Sequence, residues 1–151
     1  MSTPAQFLRD WTERLVRHRD LFTKTLVSLE PQGEDLIGKT KSDTTTYIID
    51  PLGERLADVL SKADSTSRFT FICFNTVEAL DALLACWKTA AACPHLLMYF
   101  VNPTVSGEMK WVLRPHAHER ISDPESLELG LRTLADGVPK MTKTDVDKVA
   151  Q

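Results

Sequence analysis

Several features that would announce a function are missing or scarce in this sequence. No stretch approaches the roughly 18 uninterrupted apolar residues of a membrane-spanning helix. The opening MSTPAQFLRDWTERLVRHRD carries charges throughout, where an export signal would need an apolar core. Cysteine is limited to Cys73, Cys86 and Cys93. The last two are spaced too widely for a metal knuckle or a redox pair, so reduced, packed cysteines in a cytoplasmic protein are expected. Neither sign of charge dominates: 18 Lys and Arg face 21 Asp and Glu, a net charge of -3. That balance gives no general attraction to a phosphate backbone, and nucleic acid is not expected as a partner. With only six glycines there is no glycine-rich phosphate loop. His18-Arg19-Asp20-Leu21 spells the start of a kinase catalytic loop but sits within a helical pattern, without the other kinase elements. No cofactor is implied.

What is present reads as one folded unit. A length of 151 residues with 42% apolar and 26% charged side chains is ordinary for a single domain with one core. Thr3-Pro4-Ala5-Gln6 is a capping box with proline in the first helical position. Leu8, Trp11, Leu15, Phe22, Leu26 and Leu29 follow at helical spacing, predicting one long amphipathic helix over 4–29 and then a charged, glycine-containing loop over 30–43. Thr44–Ile49 is β-branched and aromatic and ends in Asp50-Pro51, so a strand and then a helix to about residue 63 are expected. Phe69–Phe74 is a buried strand by length and composition. Residues 77–92 form a helix behind the Asn75-Thr76-Val77-Glu78 start, and LLMYFV, residues 96–101, is another strand. The turn 102–107 returns the chain into an antiparallel strand over 109–113, and Asp123-Pro124 opens a last helix stopped by Gly137.

These elements predict an α/β fold: a layered domain with a mostly parallel four-stranded sheet, its last strand antiparallel, behind a long N-terminal helix, in the order αβαβαββα. The domain spans 1–139, and 140–151 is a tail with at most a short helix. The expected core is Ile48, Phe69, Phe71, Ile72, Phe74, Leu83, Leu97, Tyr99, Val101 and Val112.

Open α/β sheets bind ligands beyond the carboxyl ends of their parallel strands. Asp50, Asn75 and Asn102 each follow a strand there, although cap and turn roles account for the same residue types. Arg114 is a candidate clamp for a carboxylate or phosphate, at the opposite, amino end of the parallel strands. His116 and His118, two apart in extended chain, would share a face and offer half a zinc site, with Glu119 or Asp123 as an oxygen ligand. Phe7, Trp11 and Phe22 on the long helix are candidates for a protein or homodimer interface. The expected function is a non-catalytic interaction or regulatory module. The alternative is a small hydrolase or nuclease, possibly metal-dependent, using His116, His118 and nearby acidic residues.

Overall fold

The computed structural model describes residues 3–150. Helix α1 (Pro4–Thr23) starts in the predicted capping box, with the Thr3 side chain accepting from the Gln6 backbone N–H. It ends earlier than its apolar spacing suggested. Lys24 takes a left-handed conformation (φ 52°), and the Asp20 carboxylate accepts from the N–H groups of Thr25 and Leu26 at 2.9 and 2.8 Å. Those bonds turn the chain out of the helix, so Leu26 and Leu29 belong to a strand.

Residues expected to be helix end and loop therefore form a hairpin: β1 (Leu26–Gln32) and β2 (Asp35–Thr40). Gln32 pairs with Asp35, and Gly33, at φ 63°, occupies the first position of the two-residue turn, where glycine pays no Cβ penalty. The sheet is consequently mixed and six-stranded, correcting the four-stranded, mostly parallel expectation. It continues through β3 (Thr44–Ile49), α2 (Leu56–Ser61), β4 (Phe69–Phe74), α3 (Val77–Ala85), α4 (Trp87–Ala91), β5 (Leu97–Val101) and β6 (Lys110–Leu113). Strands lie side by side in chain order. β3, β4 and β5 are mutually parallel; β1–β2, β2–β3 and β5–β6 are antiparallel.

Two predicted helices are also shorter or divided. After Asp50 the chain makes a turn through Gly53 (φ 78°) before α2 begins, and a Cβ on Gly53 would lie 3.0 Å from the Ala79 Cα. The helix expected over 77–92 breaks at Cys86 into α3 and α4. Beyond β6 come α5 (Pro115–Ile121), a 3-10 turn at Pro124–Ser126, α6 (Leu127–Asp136) and α7 (Lys143–Lys148), the last opened by a Thr142/Asp145 capping box.

The sheet is sandwiched. On one face Phe71, Cys73, Met98, Phe100 and Trp111 pack under α2, α3, α4 and α6 through Leu56, Leu80, Leu83, Ala90 and Leu131. On the other, Ile49, Ile72, Phe74, Tyr99 and Val101 meet Leu8 of α1 together with Met141 and Val146 from the segment expected as a tail. Of the expected core, Val112 is 45% exposed, and Phe69 and Leu97 are only half-buried. β6 is an edge strand whose α1-side face is not fully covered, which is why its apolar residue meets solvent. Among the described residues no helix is long and apolar enough to cross a membrane.

Candidate functional site: an arginine and tyrosine cavity at the amino end of the sheet

The carboxyl-end rim is occupied by the chain itself. Asp50, Asn75 and Asn102 reach that edge, but all three are buried. The Asn75 amide donates to the carbonyls of Ala135 and Val138 at 3.2 and 2.9 Å, and its oxygen accepts from Trp111 Nε1 at 2.9 Å. Asn102 donates to the Pro139 carbonyl and accepts from the Thr104 hydroxyl. Asp50 accepts from the Arg55 N–H at 2.9 Å, and burial holds its carboxyl above the usual carboxylate range. The polar groups a ligand would need are already engaged, two of them by the segment leading into α7.

The opposite end of the sheet is different. On the α1 side, register aligns Tyr47 with Thr70 and Thr70 with Leu97. Arg114 lies one step beyond the Met98–Leu113 pair and extends that row. Between the row and the second half of α1 is a cavity of about 210 Å³, lined by Thr12, Val16 and Arg19 from α1, Tyr47, Thr70 and Tyr99 from the sheet, and Arg68, His95 and Arg114 at its amino edge. Arg19 Nη1 donates to the Tyr99 hydroxyl at 2.8 Å. Arg68 pairs with Asp43 at 3.3 Å. Among the described residues no carboxylate lines the cavity.

Burial pushes the Tyr47 phenol above its ordinary value; the Arg19 charge opposes the shift and Tyr99 adds to it. Tyr47 is therefore a neutral hydrogen-bond donor at physiological pH, not a base. Guanidinium forks and phenol donors facing a space that no carboxylate enters suit an oxyanion, which takes charge-assisted bonds from each. Arg19 and Arg114 are exposed, so solvent screens their pull at long range.

The RPHAH stretch is not an extended strand end, as expected, but the start of α5. At about 100° per residue, residues two apart on a helix diverge by roughly 200°, so His116 and His118 do not share a face. His116 Nδ1 lies 2.8 Å from the Ala91 carbonyl, while His118 stands edge-on to Trp87, whose indole N–H donates to Glu119. The three residues pack α5 on α4. Among the described residues no three His, Cys, Asp or Glu side chains gather closely enough to hold a metal ion. Of the interface candidates, Phe7 and Trp11 are half-buried against the second core, and Phe22 is 80% exposed.

Comparison of the chain with family models, curated proteins and solved structures found no match. The cavity must be read from its own chemistry. Of its polar residues, sequence reasoning singles out only Arg114 as a ligand candidate. Tyr99 carried a signal, since it puts a hydroxyl on an otherwise apolar strand, whereas Tyr47 follows three threonines and did not stand out. Arg68 stands just ahead of β4. Arg19 was masked by the long-helix reading, which gave no hint that this turn overhangs an incompletely covered sheet.

Proposed function

We propose that the protein is a non-catalytic binding module whose ligand presents an oxyanion, a phosphate or a carboxylate, to the cavity formed by Arg19, Arg68, Arg114, Tyr47 and Tyr99. The observation that carries this reading is the convergence of three guanidinium groups and two phenols on a lining without a carboxylate. Donors of this kind stabilise bound charge, and among the described residues no hydrogen bond pairs His95 with a hydroxyl of the lining, so binding is favoured over the hydrolase or nuclease alternative. The three unpaired thiols suit a reducing, cytoplasmic setting. A protein partner or second copy of the chain is proposed to use a separate surface around Leu21 and Phe22, both strongly exposed at the end of α1.

Titration calorimetry with pyrophosphate and with citrate tests the cavity. At least one should bind, and Arg19→Gln/Arg114→Gln should weaken it at least tenfold, because each charge-assisted bond is worth about 1.5–3 kcal/mol. Equal affinity in the double variant, or no binding of either anion at low salt, would refute the site.

A further inference from the structure

The 210 Å³ cavity does not stand alone. It shares Leu15 with a neighbouring cavity of about 440 Å³ lined by Trp11, Arg14, Leu15, His18 and Gly107–Lys110. On its other side it shares Val16, Arg19 and Tyr47 with one of about 200 Å³ beside the β1–β2 hairpin. Together they form a groove along α1. Arg14 and His18 are one turn apart on α1, about 6 Å; Lys110 and Arg114 are four residues apart along β6, about 13 Å. Arg14, Arg19, Lys110 and Arg114 engage no carboxylate in an ion pair among the described residues. Two acids line the groove: Glu108 in the larger cavity, and Asp20, which is already committed to the Thr25 and Leu26 N–H groups. The net charge of -3 is thus unevenly spread.

A compact anion needs converging donors, and one cavity supplies them. A row of unpaired cations running past that cavity suits a ligand with repeated charge. Apolar side chains accompany the cations: the half-buried Trp11 and the exposed Met109 line the larger cavity with Arg14 and Lys110, and the exposed Val112 falls between Lys110 and Arg114 along the strand. Alternating cations and an aromatic platform are what a single strand uses, phosphates on the charges and bases on the ring; an acidic peptide has no use for the ring.

We propose that this groove between α1 and β6 binds single-stranded nucleic acid, with one phosphate seated in the Arg19/Arg114 cavity and the chain continuing past Trp11 toward Arg14 and Lys110. The proposal rests on the oxyanion reading of the cavity, and its test separates the two. Fluorescence anisotropy with a labelled 12-nucleotide oligouridylate, and in parallel an oligothymidylate, is measured against salt. Three neutralised phosphates, one in the cavity and one each at Arg14 and Lys110, predict a slope of log K on log salt near -2, from about 0.7 per phosphate for single strands. Arg14→Gln/Lys110→Gln should weaken the oligonucleotide about tenfold and leave pyrophosphate within twofold. Arg19→Gln/Arg114→Gln should weaken both. Tighter binding of the uridylate assigns RNA, and of the thymidylate DNA; equal binding assigns single strands of either kind. Pyrophosphate binding without oligonucleotide binding, equal binding of a 12-residue oligoglutamate or a 12-base-pair duplex, or an Arg14/Lys110 variant with wild-type affinity would overturn the groove and leave the cavity standing. Failure of both pyrophosphate and citrate to bind would overturn both readings, and citrate binding without pyrophosphate binding would overturn the groove alone.

Discussion

Asp50 shows how a residue at a favoured ligand position can be wholly structural. It ends a parallel strand, is 2% exposed, and caps the turn into α2 through the Arg55 N–H. Burial raises its pKa above the ordinary aspartate value, the Arg55 interactions opposing. The folded state therefore favours the protonated form. Stability contributed by that proton is fully present below the unfolded-state pKa of about 3.9 and is lost as pH rises through the folded value, leaving a buried charge as a net cost at neutrality. Asp50→Asn removes the charge and keeps an acceptor for the Arg55 N–H. Urea titration should find the variant more stable than the parent at pH 7, with the advantage shrinking as pH falls into the range where Asp50 binds its proton. A variant less stable at pH 7 would mean that the carboxylate's attraction to Arg55 outweighs its desolvation.

At the scale of elements, the end of α1 decides the shape of the sheet. Lys24 holds a left-handed backbone at a cost of about 1 kcal/mol, a position that glycine fills freely. Lys24→Gly should therefore raise stability by up to about 1 kcal/mol in a denaturant titration, less whatever the glycine gains in unfolded-state entropy. A clear loss would show that the Lys24 side chain contributes contacts of its own. The same residues explain what was legible in the sequence. β4 and β5 were readable because buried parallel strands are continuous apolar runs, and β3 because Thr44–Ile49 is β-branched and aromatic. β1 was not, since Phe22, Leu26 and Leu29 satisfy helical spacing even though the chain leaves the helix at Lys24. β2 carries Gly38 and Lys39 beside Leu36 and Ile37, too mixed for a strand signal. The extended reading of His116 and His118 fails for a related reason: Pro115 just before them is at home in the first turn of a helix, where α5 puts it. The cavity was the least legible feature, because β3, β4, β5 and the start of α5 each supply only one or two residues, brought together by strand register, and the four from α1 reach it only through the packing of the helix on the sheet.

At the scale of the whole molecule, the two ends of the sheet have been treated in opposite ways. The segment through Val138, Pro139 and Met141 closes the carboxyl end by bonding to Asn75 and Asn102, and Met141 and Val146 then complete the core beside α1. The amino end keeps its groove. Total exposure is 8532 Å² for a 17.0 kDa chain, whereas a monomer of that mass typically exposes about 7,700 Å². The difference, about 800 Å², is close to what each partner contributes to a standard-size interface. Leu21 and Phe22, 67% and 80% exposed on adjacent positions, offer a paired apolar anchor to such a contact. A two-fold arrangement would bring each copy's pair against the other's, since symmetric contacts reuse one patch. The expected result is a dimer in sedimentation at tens of micromolar that Phe22→Glu converts to a monomer without changing the circular dichroism spectrum, because this side chain lies outside all three clusters of buried residues. A monomeric wild-type chain under those conditions would place the excess surface in the groove and loops, and remove the second copy as a partner.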